Sequence, residues 1–351
     1  MSDAPTAPRI LLVRLSALGD VLHTLPAVAL LRRAMPQARL EWVVETPAAD
    51  LLRGHPDLDR LWVFPRPALR NPRSRVAALT ASAALARDLR RARFDAVLDL
   101  QGLLRSALVA RLPRTPQRFG PGWAREGATW LYTDPLDLPR PGEAHAALRA
   151  ALAVRGVAAS FGVQLDTEAL PPATLPLAPQ APGREVALLV GAGKPANRLP
   201  PELLAEVADG LAAAGRRAVL LGGPGDRFRA EAVLKRCERA RPRVACGQSL
   251  PASAKELQRA AAVLGGDTGP LHLARILGRP VFAVFHAADP ARTGPAGYRG
   301  AVDAPAPVWV GRVACAPCCA SRCKLPGQPR TCLDALTAPA LVRALLELCQ
   351  E

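Results

Sequence analysis

A chain of 351 residues, 50% of them apolar, is long enough for two domains with separate cores and too hydrophobic to be disordered. Arg14 and Asp20 interrupt the best N-terminal candidate for a membrane span, and the first eight residues lack the basic start and apolar core of a signal peptide, so a cytoplasmic location is expected. The formal charge of +16 comes from scattered arginines beside only four lysines; it fits GC-rich coding or attraction to phosphates of nucleotides, lipid headgroups or nucleic acid, and does not choose among them.

The first half alternates short β-like runs with longer helical stretches, as a parallel sheet with crossover helices does. The strand-like runs are Ile10–Val13, Leu40–Glu45, Leu61–Phe64 and Ala96–Leu100, and Val21–Arg33 and Ser74–Arg93 carry helical apolar spacing between them. Directly after the first strand comes SALGDVLHTLP (16–26), a small-residue turn through Ser16, Ala17 and Gly19 leading to a helix that begins around Asp20. Glycine permits close backbone approach at such a turn, and a helix start offers unpaired N–H groups. Asp20 then stands at the carboxyl edge of the first strand, where open α/β sheets bind ligands. As an isolated motif it reads equally as a helix N-cap. Asp57 with Asp59 reads as a solvated turn, and the proline- and arginine-rich stretch 65–73 as an exposed loop.

Residues 169–183, ALPPATLPLAPQAPG, are dense in proline and read as an extended linker. The expected organisation is a domain over 1–170, a linker over 171–184 and a second domain over 185–351. In the second domain Val186–Val190, Ala218–Leu221, Ala262–Gly265 and Pro280–Phe285 are strand-like, while Pro200–Ala214 and Leu271–Leu277 are helical. The fold class is therefore expected to be α/β, with two doubly wound Rossmann-like halves facing a central cleft where two substrates meet.

The segment GGDTGPLHLA (265–274) carries the second strong signal. A strand ends near Leu264, Gly265 and Gly266 open a tight turn, and Asp267 and Thr268 precede a helix starting near Pro270, with His272 in its first turn. Free N–H groups there can hold a phosphate with help from the helix dipole. The alternative is ordinary capping by Asp267 or Thr268, with His272 on a solvated face. GAGK (191–194) and GGPGDR (222–227) also follow strands but fail the standard nucleotide templates. Leu188 and Pro195 stand where a P-loop needs Gly and Ser or Thr, and Phe228 stands where the dinucleotide fingerprint needs its last Gly. Both suit a sugar-nucleotide phosphate and ribose site. No carboxylate pair is placed to hold Mg²⁺ against a diphosphate, so neither metal nor cofactor is expected in the chemistry.

Five of the eight cysteines crowd into Cys315–Cys332. Cys315, Cys318, Cys323 and Cys332 could ligate zinc by spacing, with Cys319 to spare. A reduced, loop-stabilising cluster or an occasional disulfide is the alternative. In either case the cluster follows the last expected strand and is expected to stand apart from the chemistry.

Asp20, GAGK, GGPGD and GGDTGPLH together resemble the lipopolysaccharide heptosyltransferases, glycosyltransferase family 9. GDVLHTLPA (19–27), EWVVE (41–45), FDAVLDLQGLLRSA (94–107), AREGATWLY (124–132) and EAHA (143–146) resemble the heptosyltransferase I branch in order and spacing. The resemblance implies a GT-B fold, with the acceptor side on the first domain and the sugar nucleotide on the second. It implies inverting transfer of L-glycero-D-manno-heptose from ADP-heptose to a Kdo residue of a lipid A–Kdo acceptor, at the inner face of the cytoplasmic membrane. Asp20 matches the family's catalytic aspartate, a general base. Asp267, Thr268, Gly269, Pro270 and His272 match the donor-binding motif, Gly193, Lys194 and Arg198 fall on the donor side, and Asp226 lies near the acidic nucleoside-binding position. Ser16, Gly19, His23, Gln101, Arg105 and Arg125 fall on the acceptor side.

The pattern departs at Asn197, where the family commonly carries a lysine before an Arg/His-Trp-Pro element. Here the element reads Asn197-Arg198-Leu199-Pro200, which leaves Lys194 or Arg198 to supply the cation. The cysteine-rich tail resembles other branches of the family. Two rival readings stand beside this one: a family 9 transferase with another nucleotide sugar or acceptor, and an arginine-rich nucleic-acid-binding protein. The second rests on charge alone, without a basic helix or an aromatic-studded RNA motif, and aromatics are only 4% of the chain. No nucleic-acid partner is expected; the positive surface is expected to meet anionic lipid.

Overall fold

The run Arg9–Val13 is apolar at every position after the first, and Ile10 to Val13 are completely buried, as a parallel strand covered on both faces must be. In the computed structural model, which describes residues 7–65, 73–295, 306–325 and 331–350, this run is β1 of the first of two compact units, Met1–Pro176 and Leu177–Glu351.

The first unit holds β1 (Arg9–Val13), β2 (Arg39–Glu45), β3 (Arg60–Phe64), β4 (Ala96–Asp99), β5 (Gln117–Pro121) and β6 (Asp134–Leu136) in one parallel sheet, order β3-β2-β1-β4-β5-β6. In its register Ile10 faces Leu40 on one side and Ala96 on the other. The second unit repeats the plan with β7 (Val186–Leu189), β8 (Ala218–Gly222), β9 (Arg243–Cys246), β10 (Ala262–Gly266), β11 (Val281–Phe285) and β12 (Val308–Val310), order β12-β11-β10-β7-β8-β9. Strand order reverses between β1 and β4 in the first sheet, and between β7 and β10 in the second. Those two positions are where open α/β sheets bind ligands, outside the carboxyl ends of the strands.

Leu11, Val13, Val43, Trp62, Leu89 and Val97 pack one face of the first sheet. Val186, Leu188, Leu220 and Leu264 pack the second against Leu204, Leu211, Leu341 and Leu345 of the flanking helices. The central strands expected from sequence are all present. Four strands were not expected: β5, β6, β9 and β12. β6, β9 and β12 are short strands at sheet edges, and β5 and β6 each contain a proline, a residue whose missing N–H is tolerated at edges.

Two boundaries shift near the motifs. The first helix runs Leu18–Ala34, so Asp20 is its third residue and not its start. β10 runs on through Gly266, so the turn begins after both glycines. Asp59 is more than a solvated turn residue: it accepts the Leu40 N–H at 2.7 Å and pairs with Arg32 at 2.6 Å. Residues 66–72 of the expected exposed loop lie outside the described residues. In the proline-rich stretch, the Thr174 carbonyl meets His55 Nε2 at 3.1 Å, and the Ala178 carbonyl accepts from Gln258 Nε2 at 3.2 Å.

Candidate functional site

At the carboxyl end of β1 the chain passes through Ser16 and Ala17 into the helix Leu18–Ala34. Asp20 Oδ2 pairs with Arg14 Nη2 at 2.8 Å and accepts the Ala17 N–H at 3.4 Å, which orients the carboxylate toward the start of its own helix. Its side chain remains 40% exposed, so a substrate can reach it, whereas Arg14 is 14% exposed. Arg14 Nη1 also donates to the Leu100 carbonyl, which ties the ends of β1 and β4 together. Arg14, Asp20, Asp99, Trp123 and Arg149 line one small cavity. The Arg149 guanidinium lies 5.7 Å from the centre of the Trp123 ring.

Beneath this cavity Asp99 is completely buried. Its Oδ1 accepts the Gln101 N–H at 2.8 Å and the Gly102 N–H at 3.3 Å; its Oδ2 accepts from Ser106 Oγ at 2.8 Å and Tyr132 OH at 2.7 Å. Burial pushes the Asp99 carboxyl above the ordinary carboxylate range, and the bonds from Tyr132, Gln101, Ser106 and Gly102 pull in the opposite direction. Gln101, so held, accepts the Leu15 N–H at 2.9 Å and the Ser16 N–H at 3.4 Å through Oε1. A chain of hydrogen bonds thus runs from the buried carboxylate to the turn that presents Asp20.

The other residues expected on the acceptor side divide into two groups. Ser16 Oγ accepts from Arg105 Nη2 at 3.1 Å, and Gly19 is half-buried in the first helical turn, so both stand at the Asp20 turn. Arg125 is exposed, with its N–H on the Gly102 carbonyl at 3.0 Å. His23 points inward: it is 2% exposed and packs edge-on against His145, ring centres 5.2 Å apart.

In the second unit the loops after β7, β8 and β10, three neighbouring strands, carry GAGK, GGPGD and GGDTG. Thr268 precedes the helix Gly269–Ile276, with Pro270 in its first turn. Asp267 Oδ1 meets His272 Nε2 at 3.1 Å, and Asn197 Nδ2 donates to both Asp267 Oδ2 and the Asp267 carbonyl, each at 3.1 Å. Asn197 is 4% exposed and His272 2% exposed, so His272 is not on a solvated face. The position where a lysine was expected therefore serves as a brace on Asp267. A Cβ at Gly266 would collide with the Asn197 carbonyl, so only glycine lets the two loops come this close.

Lys194 and Gly193 are exposed at the tip of the GAGK loop, while Arg198 Nε folds back onto the Ala192 carbonyl at 2.9 Å. Asp226 Oδ2 accepts the Gly223 N–H at 2.9 Å, and its carboxylate lies so close to Gly191 that a side chain there would strike it. Asp226 is thus fixed between the first two loops.

The Cys-rich segment is nearer to this site than expected. Cys319 N–H bonds to the Ala287 carbonyl at 2.7 Å, just past β11, and the Ser321 carbonyl accepts the Ala196 N–H at 3.0 Å, within the GAGK-to-Asn197 loop. No disulfide joins Cys237, Cys246, Cys315, Cys318, Cys319, Cys332 or Cys349. Burial and the neighbouring Cys315, Cys323 and Cys318 raise the Cys332 thiol, while Cys315, Cys318 and Cys323 are exposed. Among the described residues, no three His, Cys, Asp or Glu side chains are grouped to hold a metal ion.

Residues 82–327 match the sequence model of glycosyltransferase family 9 (heptosyltransferase). The chain belongs to this family. Lipopolysaccharide heptosyltransferase 1 of Pseudomonas aeruginosa is 31% identical over 315 residues, 82% of this chain and 81% of that protein. Its Escherichia coli K12 counterpart is 31% identical over 295 residues, 82% of this chain and 90% of that protein. Among solved structures, the E. coli heptosyltransferase WaaC with ADP gives a TM-score of 0.73 at 27% identity, covering 97% of this chain and 99% of that one. A family 9 glycosyl transferase from Veillonella parvula shares the fold with a TM-score of 0.77 at 21% identity, covering 99% of each chain.

The chain is thus a family 9 glycosyltransferase of GT-B fold, built on two parallel six-stranded sheets with flanking helices. Arg14, Asp99, Trp123 and Arg149 are the residues of this glycosyltransferase's first unit that the sequence reading passed over. Arg14 was discoverable, since it directly follows the strand that leads to Asp20. Asp99 lay inside an ordinary strand reading, and Trp123 and Arg149 reach the cavity from distant parts of the chain.

Proposed function

We propose that this enzyme transfers heptose, with inversion, from ADP-heptose to a Kdo residue of a Kdo–lipid A acceptor at the inner face of the cytoplasmic membrane. One coincidence carries the reading. An accessible carboxylate, Asp20, stands at the switch point of one sheet, and a phosphate-type helix start stands at that of the other, in a chain 31% identical over 82% of its length to a lipopolysaccharide heptosyltransferase 1. Asp20 takes the proton of the acceptor hydroxyl as that oxygen bonds to the anomeric carbon. The bond from that carbon to the diphosphate oxygen breaks, and its electron pair leaves with ADP. No helix among the described residues is long and apolar enough to cross a membrane, and the charge of +16 favours attachment to an anionic surface.

The leaving diphosphate meets backbone N–H groups at the start of the helix Gly269–Ile276. An exposed helix terminus is worth only about 0.3–1 kcal/mol to a nearby charge, whereas one well-placed donor to a developing anion contributes about 2.7–4 kcal/mol. A fixed side-chain donor is therefore assigned beside the helix start. Asn197 is committed to Asp267 and Arg198 folds back on Ala192, so the exposed Lys194 is assigned that role. Lys194→Ala is expected to weaken donor binding and turnover together by about ten- to a hundredfold, the loss of a charge-assisted bond of about 1.5–3 kcal/mol. Unchanged kinetics would move the role to Arg198 or to the backbone alone.

Fixed groups of this kind can stabilise ADP without a divalent ion. The initial rate is expected to be the same with and without excess EDTA. Loss of transfer in EDTA that Mg²⁺ or Mn²⁺ restores would refute the metal-independent mechanism. Donor identity is tested by thermal melting against a panel of nucleotide sugars, since a ligand that binds only the native state raises the melting point by mass action. ADP-heptose is expected to give the largest shift; a larger one from another nucleotide sugar would replace it as donor.

A further inference from the structure

The helix Leu104–Ala110 is inverted relative to an ordinary amphipathic helix. It buries Ser106, Ala107, Val109 and Ala110 and turns its leucines outward, with Leu104 39% and Leu108 51% exposed. Packed against it is the short turn Ala128–Leu131, where Trp130 is 91% exposed. Leu104 N–H bonds to Glu126 Oε2 at 3.2 Å, which ties that turn to the start of the helix. The other four tryptophans, Trp42, Trp62, Trp123 and Trp309, are buried or half-buried.

Arginines continue this apolar stripe. Arg111 is exposed one turn beyond Leu108, and Arg90, Arg111, Arg114 and Arg118 line a surface hollow of about 620 Å³ with Leu108 at its edge. Arg118 is held rigidly, Nε on the Leu131 carbonyl at 3.1 Å and Nη1 on the Thr115 carbonyl at 3.2 Å. Burial and the proximity of Arg111 both disfavour its charge, and Asp134 compensates in part. The hollow thus crowds like charges that an anion would relieve. Exposed leucines and a tryptophan beside clustered arginines fit a lipid interface, where rings sit at headgroup depth and guanidinium groups reach phosphates.

We infer that the face formed by Leu104, Leu108 and Trp130, with Arg90, Arg111, Arg114 and Arg118, is the surface by which this enzyme docks onto anionic lipid. The inference rests on the lipid-linked acceptor proposed above. Arg105, one residue after Leu104, bonds to Ser16 in the Asp20 turn, so the Leu104 end of the face borders the acceptor side.

The test is co-sedimentation with vesicles of equimolar phosphatidylglycerol and phosphatidylcholine, compared with phosphatidylcholine alone, together with tryptophan emission. Binding to the anionic vesicles alone is expected, weakened by salt, with a blue shift that Trp130→Phe removes. The double variant Arg111→Gln/Arg114→Gln is expected to partition about thirty-fold less, from roughly fivefold per basic residue at an anionic surface. Leu104→Ser/Leu108→Ser is expected to weaken binding as well. Both double variants are expected to melt as the parent does and to retain transfer to a deacylated, water-soluble acceptor. That arm separates the two ideas: no transfer to the soluble acceptor by the parent enzyme overturns the acceptor reading. Vesicle binding unchanged in both double variants, or arginine-dependent binding to RNA in place of vesicles, overturns the docking face.

Discussion

Asp20→Ala is expected to lower turnover by about two to four orders of magnitude, the usual contribution of a general base, while donor binding stays near the parent value. Asp20 is at the carboxyl end of β1, in the unit that does not carry the GAGK, GGPGD and GGDTG loops. Its carboxylate is 40% exposed and, among the described residues, bonds to Arg14 and the Ala17 N–H, so its removal creates no buried hole. Arg14 keeps its bond to the Leu100 carbonyl, and the fold is expected to persist. Asp20→Asn preserves shape and removes the base, so it should be as slow as the alanine variant. Steady-state kinetics beside ADP binding separates the two effects; near-normal turnover in either variant would remove Asp20 from the chemistry.

The largest stability effect is expected at Asp99. Asp99→Ala leaves the Tyr132 hydroxyl and the Gln101 and Gly102 N–H groups without their acceptor in a buried site, while the Ser106 hydroxyl keeps the Leu103 carbonyl at 2.8 Å. Unmet buried donors cost about 1–3 kcal/mol each before relaxation, and breaking a buried charged network typically costs about 3–5 kcal/mol in all, the figure expected here. Turnover should fall too, because Gln101 no longer fixes the Leu15–Ser16 backbone that presents Asp20. The pH dependence has a definite sign. A carboxyl raised on folding binds more protons in the native than in the unfolded state, so its contribution to stability falls as pH rises from the ordinary carboxylate value through the raised native one. The parent should lose stability across that window, and Asp99→Asn, which cannot titrate, should lack this component. A cost below about 1 kcal/mol for Asp99→Ala would show that the network is not holding the loop.

The central strands were legible because both of their faces are buried, which leaves nearly unbroken apolar runs such as ILLV at 10–13 and VALL at 186–189. The strands DPL, RVAC and VWV were not, since edge segments with at most three apolar residues in a row are too short to stand out as strands. The start of the first helix was misplaced because an aspartate after a glycine looks like an N-cap, whereas Asp20 sits in the third helical position with Ala17 outside the helix. The placement of Asp20 after β1 and of Asp267 after β10 was legible through the glycine turns beside them. The departure at Asn197 was visible as a missing lysine, but its bond to Asp267 was not, because it joins residues 70 positions apart. The same distance problem hid Asp99, whose partner Tyr132 lies 33 residues away.

The most direct test of the central claim is to incubate the purified protein with ADP-L-glycero-D-manno-heptose and Kdo–lipid A, and to analyse the lipid product by mass spectrometry and NMR. The account predicts a product heavier by one heptosyl unit, linked to Kdo with anomeric configuration opposite to the donor's, and almost none with Asp20→Ala. An unmodified acceptor from a preparation that consumes a different nucleotide sugar, or a heptosyl product that retains the donor's configuration, would contradict it.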